Sequence, residues 1–258
     1  MILRSICCVI PLMKKTTNRA LLTSHSNTYS WVYPSILFVQ YMECSSRTHP
    51  AIISYGLYLY FSSRSLRLAA KCLESVIRRS HVTIWKWVQK YSDCTDRFVT
   101  PRHLVREIFV DETLLRIDGQ DYWLWIAYEP NLRSCLMLHL SRERTIFVCY
   151  QFFRQLRNRY GSRKAIYTDG ARWYNDACKW LRLKHYVYDD TGLKNLMERF
   201  VQQIKDRTEC FDDHFPCRKQ NCNRQHVWNW LKLFVLYLHM GTDRIQFITY
   251  LVTDGWLS

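Results

Sequence analysis

Three carboxylates stand where chemistry could be done. Asp111 lies inside the apolar stretch Glu107–Ile117 (EIFVDETLLRI), beside Phe109 and Val110. Asp169 follows the short apolar run Lys164–Thr168, and Glu198 lies one turn into the segment Asn195–Thr208. A carboxylate in or beside an apolar strand is costly unless something pairs with it. A divalent cation is one such partner: Mg²⁺ takes few hard oxygen ligands from protein and leaves the rest to phosphate and water. Two such ions about 3.5–4 Å apart can activate an attacking oxygen and stabilise a leaving one. Each residue also has a plainer reading. Asp111 could be a strand-end residue paired with an Arg, and Asp169 a turn former in an Asp-Gly dipeptide. Glu198 could be a solvated helix residue paired with Lys194 or Arg199. Taken together, at matching places in one α/β unit, they favour a metal site over three separate accidents.

That unit follows from periodicity. Glu107–Ile117 predicts a strand, Asp118-Gly119 a hairpin turn and Tyr122–Tyr128 (YWLWIAY) a second strand. A turn at Glu129-Pro130-Asn131 leads to a third strand at Ser134–Leu140. Three strands joined by tight turns make an antiparallel meander. A helix then fits Glu143–Tyr160 and stops at Gly161. The short strand Lys164–Thr168, a helix over Arg172–Leu183, a strand at His185–Tyr188 and a helix over Asn195–Thr208 follow. The order β-β-β-α-β-α-β-α predicts a mixed sheet with helices packed on it.

Upstream, Ser65–Ile77 (SLRLAAKCLESVI) carries Leu66, Ala69, Ala70, Leu73, Val76 and Ile77 at helical spacing. After Arg78-Arg79-Ser80, a second helix fits His81–Ser92, with Ile84, Trp87, Val88 and Tyr91 as its apolar face and Ser80 as N-cap. Two short helices with a tight polar link are a helix-turn-helix candidate. Lys86 and Lys90 on the second helix, with Arg78 and Arg79 just before it, suit phosphate contacts. An ordinary helical hairpin with a solvated basic face is the equal alternative on pattern alone.

The chain carries 37 Lys and Arg against 22 Asp and Glu, a formal charge of +15. That excess favours a polyanionic partner, nucleic acid before a membrane surface. The eleven cysteines are scattered and odd in number, so they do not form a small disulfide framework. No apolar run reaches the length of a membrane span, and no secretory cleavage site follows the short apolar stretch in Met1–Met13. The expectation is a cytoplasmic, nucleoid-associated protein without membrane contact. Cys210, His214, Cys217, Cys222 and His226 lie within 17 residues, but no paired C-x-x-C is present, and incidental thiols are favoured over a zinc site.

The topology, with Asp, Asp and Glu at those places, resembles the ribonuclease-H-like catalytic domain of DDE transposases and retroviral integrases. Local stretches narrow the resemblance to insertion-sequence transposases of the IS-six type, archaeal members above all. These are GLYLYFSSRSLRLAAKCL (Gly56–Leu73), TIWKWVQKYS (Thr83–Ser92), VDET (Val110–Thr113), TDGARWY (Thr168–Tyr174), NLMERFVQQIKDRT (Asn195–Thr208) and Phe215-Pro216. The resemblance covers about residues 51–240, and its motifs are specific as a set rather than singly. It implies that Asp111, Asp169 and Glu198 bind two Mg²⁺ ions, replaceable by Mn²⁺. It implies that Lys205, seven residues after Glu198 and on the helical face of Asn195, Glu198 and Gln202, approaches DNA. Trp173 and Tyr174 stand where aromatics could touch DNA near the cut, with core packing the favoured role for at least one of them. The 29 positions from Asp169 to Glu198 are fewer than many relatives of the wider superfamily have, so Asp176, Asp189 and Asp190 stay open as extra or substitute ligands.

The resulting layout is an N-terminal extension at 1–50, a helix-turn-helix DNA-binding region at 51–100, a ribonuclease-H-like catalytic domain at 104–210, and a C-terminal helical region and tail at 211–258. A final amphipathic helix fits about Gln225–Met240, with Trp228, Leu231, Val235 and Leu238 as its stripe. The function implied is a transposase that holds the terminal inverted repeats of a mobile element and cuts and rejoins double-stranded DNA, as a homo-oligomer on paired ends. The rivals are a transposase-derived DNA-binding protein without catalysis and a nuclease acting on RNA–DNA hybrids. The helix-turn-helix counts against the second rival, because it suits duplex major grooves.

Overall fold

The computed structural model describes residues 48–93, 100–117, 119–188, 192–208 and 224–239. Most of the N-terminal extension, the tail, Asp118, Asp189, Asp190, Cys210, His214, Cys217 and Cys222 lie outside the described residues. Among the described residues three helices come first. Helix α1 (Pro50–Ser63) starts on a His49 side chain that accepts from the Ala51 N–H and has Pro at its first position. Its sequence, IISYGLYLYF, is apolar around most of its circumference, so it lacks the one-sided period that betrays a surface helix. Ile53, Leu57, Tyr60 and Phe61 are all buried. At Gly56 an added Cβ would sit 2.8 Å from the Trp87 ring, so a glycine is what lets α1 approach that ring this closely.

Helix α2 (Leu66–Leu73) is capped by Ser65, which accepts from the Leu68 N–H. Helix α3 (His81–Tyr91) is capped by Ser80, which accepts from the Thr83 N–H, and buries Ile84, Trp87, Val88 and Tyr91 as its periodicity predicts. The three helices pack on one another. The first helix of the hairpin is shorter than its spacing predicts, ending at Leu73 rather than Ile77. The Ser75 hydroxyl bonds the Cys72 carbonyl, and the N–H groups of Val76 and Ile77 both fold back on the Leu73 carbonyl. Ser in that position competes with the helical ladder, and two β-branched residues follow it. The link between α2 and α3 is therefore Glu74–Ser80, longer than a tight three-residue turn.

Strands β1 (Glu107–Ile117), β2 (Gln120–Glu129) and β3 (Ser134–Ser141) form the meander. The β1–β2 register closes Ile117 on Gln120, with Gly119 at φ 72 in the turn. Glu129, fully buried at the end of β2, accepts from the N–H groups of Arg106, Glu107 and Asn131 and from the Asn131 amide, which fixes the turn into β3. Helix α4 (Ile146–Tyr160) is capped by Thr145. Strand β4 (Ala165–Thr168) pairs parallel to β1, and β5 (Lys184–Val187) parallel to β4. Helix α5 (Arg172–Leu181) joins them, helix α6 (Gly192–Thr208) follows β5, and helix α7 (Arg224–His239) is the last described element. The sheet order is β3-β2-β1-β4-β5, so β1 is central.

Strand alternation divides the core in two. Ile108, Val110, Trp125 and Ile166 pack with Phe153, Tyr174 and Cys178 on the face covered by α4 and α5. Phe109, Leu124, Ile126 and Tyr128 pack on the other face with α1, α2, α3, α6 and α7 in one continuous buried cluster. The N-terminal helices and the sheet thus share a core. Arg207 near the end of α6 locks this side: its guanidinium donates to the Phe61 carbonyl and lies over the Trp230 and Phe234 rings. No described helix is long and apolar enough to cross a membrane.

Candidate active site

The meander forces Asp111 and Glu112 onto opposite faces of β1. Asp111 points to the α6 side, with one carboxyl oxygen accepting from the Glu112 N–H at 2.9 Å. Asp169 is the first residue past β4; its Oδ1 accepts from the Ala171 N–H at 3.0 Å, and Gly170 takes φ 86, so the turn-forming role and the site coexist. Glu198 is on α6, whose inner face, Met197, Phe200, Val201 and Ile204, is buried. Phe200 stacks on Tyr128, and α6 packs on the central strand β1, which brings Glu198 to the cavity that Asp111 lines.

Asp111, Asp169 and Glu198 line one cavity of about 190 Å³ together with Tyr188, Lys194 and Met197. Burial pushes the Asp111 carboxyl up to about 6; the charges of Asp169 and Glu198 add to this, while the Glu112 N–H and Lys205 oppose it. Lys205, exposed two turns beyond Glu198, is thus near enough to act on Asp111. Glu198 reaches Lys194 at 3.7 Å, an exposed pair within one helix turn. Among the described residues, no three His, Cys, Asp or Glu side chains stand close enough to close on one ion. The donor set nevertheless fits a hard divalent cation. Three carboxylates face one cavity, one of them loses its proton reluctantly, and added positive charge would relieve that cost.

Of the other residues read from the sequence, Lys86 and Lys90 are exposed on α3, Lys90 reaching over the Tyr91 ring at 5.3 Å. Arg78 is exposed and pairs with Glu74 at 3.6 Å. Arg79 turns inward: its guanidinium donates to the Thr48 hydroxyl and to the Arg78 carbonyl. Trp173 is half-buried under the Arg144 guanidinium, and Tyr174 is wholly buried. Asp176 is exposed on α5, outside the cavity lining. His226 lies on α7 against Trp85, and its would-be zinc partners fall outside the described residues.

Three further residues, Tyr188, Glu112 and Arg144, bear on the site without standing out along the chain. Tyr188 follows β5; its N–H donates to the Thr168 carbonyl and its hydroxyl to the Val110 carbonyl at 2.7 Å. Glu112, with a side chain only 4% exposed, accepts from the Tyr174 hydroxyl and lies 3.5 Å from Arg144. Burial pushes its carboxyl up to about 7, helped by Asp111 and Asp169 and opposed by Arg144. Arg144 is held between the Trp123 and Trp173 rings, 4.1 and 4.7 Å from their centres. The alternation of β1 was the available signal for Glu112, since a carboxylate on each face of a buried strand demands two explanations.

A mixed sheet in the order β3-β2-β1-β4-β5, with carboxylates on its central strand, just past the neighbouring parallel strand and on the helix after the last strand, defines a ribonuclease-H-like α/β protein. Residues 105–225 match the family model described as a DDE domain, of the IS240 transposase type. Asp111, Asp169 and Glu198 all fall inside that matched stretch. It is 25% identical over 180 residues to the uncharacterized protein MJ0017 of Methanocaldococcus jannaschii, an alignment covering 69% of this chain and 81% of that one. It is 23% identical over 121 residues to the transposase for insertion sequence-like element IS431mec of Staphylococcus aureus, covering 46% of this chain and 54% of that transposase. The catalytic core domain of BIV integrase superposes with a TM-score of 0.37 at 16% identity, over 54% of this chain and 84% of that one.

Proposed function

We propose that this chain binds the terminal inverted repeats of a mobile element and catalyses metal-dependent strand cleavage and strand transfer on double-stranded DNA. The observation that carries the reading is the convergence of Asp111, Asp169 and Glu198, within the matched DDE domain, on one cavity beside Lys205. Asp111, Asp169 and Glu198 would hold two Mg²⁺ ions, or Mn²⁺ in their place. When bound, the ions supply activation of the attacking oxygen and neutralisation of charge on the phosphate.

The remaining chemistry belongs to the chain itself. Asp111, as a half-buried carboxylate, would serve as a ligand in its ionised form. Lys205 offers its ammonium to the phosphate beside the cut. Lys194 balances the charge of Glu198 at the cavity lining. Lys86, Lys90 and Arg78 contact the backbone of the element end, and Arg79 holds α3 in its place from behind. Trp173, with Arg144 over its ring, offers an aromatic edge near the cut. Paired ends need two active sites, so the working form is a homo-oligomer.

The test is cleavage of a labelled element end. Mg²⁺ or Mn²⁺ should support a nick at the element boundary and then joining to a target duplex, and EDTA should abolish both. Tight binding of the end with no cleavage under any divalent ion would leave a DNA-binding protein without catalysis.

A further inference from the structure

The spacing of Asp111 and Asp169 is not set by the sheet. The parallel ladder between β1 and β4 runs from Glu107–Ala165 to Phe109–Tyr167 and stops two residues short of each carboxylate. Beyond that point no β1–β4 strand pairing ties one acidic residue's backbone to the other, and two like charges there repel. One backbone N–H and two tyrosine hydroxyls take over the task from both faces. On the cavity face, Tyr188 bonds the carbonyls of Thr168 and Val110, the residues immediately before Asp169 and Asp111. On the opposite face, Glu112, the residue after Asp111, accepts from the hydroxyl of Tyr174, on the first turn of the helix that Asp169 introduces.

Both braces are anchored. Tyr174 is fully buried, with its ring stacked on Phe153 and edge-on to Trp125. Arg144 approaches Glu112 while clamped between Trp123 of β2 and Trp173 of α5, so β1, β2 and α5 meet at one carboxylate. A buried carboxylate of this kind costs folding energy unless its partners repay it. Nothing in the core packing of α4 and α5 requires a charge there.

We propose that Glu112 with Tyr174, and Tyr188 from the other face, are positioning residues that set the separation of Asp111 and Asp169 for metal binding. The inference rests on the proposed function, because it assigns a role to the same carboxylates. Groups that orient ligands from behind typically contribute about 10–100-fold to metal affinity.

The experiment measures Mn²⁺ binding to the full chain by electron paramagnetic resonance of the free ion, alongside melting temperature and cleavage. Tyr174→Phe and Tyr188→Phe each delete one hydroxyl and keep the ring, and Glu112→Gln deletes the charge while keeping an acceptor. The expected result is a roughly 10-fold weaker Mn²⁺ Kd in each tyrosine variant and a larger loss in the double variant. Glu112→Gln should lie between wild type and Tyr174→Phe. Cleavage at saturating Mn²⁺ should recover most of its rate. An unchanged Kd in both tyrosine variants overturns the inference, whether or not the melting temperature falls, since the hydroxyls would then serve only stability. Wild-type protein that binds no Mn²⁺ and cuts no DNA overturns the proposed function and this inference together. Wild-type binding that every variant retains overturns this inference alone.

Discussion

Asp111→Asn should stabilise the metal-free protein while destroying its chemistry. Burial and the neighbouring carboxylates raise the Asp111 carboxyl from 3.8 in the unfolded chain to about 6 in the folded one. A raised acid pKa means that the folded state holds its proton longer than the unfolded state. Stability therefore falls as pH rises through the interval from 3.8 to about 6, and the full penalty persists above it. About two units at about 1.4 kcal/mol each give close to 3 kcal/mol, which partial solvent access reduces to about 1–3 kcal/mol. Asparagine carries no charge to desolvate, and its carbonyl can still accept from the Glu112 N–H. In EDTA at pH 8, Asp111→Asn should thus melt several degrees above wild type, at about 2–4 °C per kcal/mol for a domain of this size. Near pH 4 the two proteins should melt together. Added Mg²⁺ should raise the wild-type melting temperature and leave the variant unmoved. Calorimetric scans at the two pH values, with and without metal, decide the matter. A variant no more stable than wild type at pH 8 would mean that Asp111 is already paired in the metal-free protein, and the account of the site as a strained anion cluster would fail.

Asp169→Asn and Glu198→Gln should each abolish strand cleavage while leaving the affinity for an element end within about twofold, because the α1–α3 surface does not include them; gel shift and nicking assays on the same preparations check this. Lys86→Ala with Lys90→Ala should weaken DNA binding and lower the slope of log Kd against log salt by about two, one for each phosphate left without its lysine, as a fluorescence anisotropy titration would record. Glu129→Gln should destabilise the fold by about 1–3 kcal/mol in urea unfolding, because an amide NH₂ would face N–H donors that now share the carboxylate. Phe61→Ala should cost about 3–5 kcal/mol, since that ring is 1% exposed and packs against Trp230, Phe234 and Tyr237.

The sequence by itself determined the order of the elements from the second helix onward. Alternation in Glu107–Ile117 and the Asp-Gly turn fix the first hairpin, and Ser80 and Gly161 mark helix ends through chemistry that needs no neighbours. The three carboxylates were legible for the same reason: an acid beside apolar residues is conspicuous along the chain. Helix α1 was not legible, because a segment apolar on most sides carries no period, and only its burial against α3 and α7 explains it. The end of α2 at Leu73 came from a local competition between the Ser75 hydroxyl and the helical ladder that spacing does not reveal. Tertiary structure alone decided that Arg79 faces inward to Thr48 and that Trp173 lies under Arg144. It also decided that Glu198 shares a cavity with Asp111, since α6 buries Met197, Phe200, Val201 and Ile204 and leaves Lys194 and Glu198 at the cavity lining. The braces at Tyr188 and Glu112 belong to the same level. Their two hydroxyl bonds span 62 and 78 positions in sequence, and only a folded sheet brings such groups within reach.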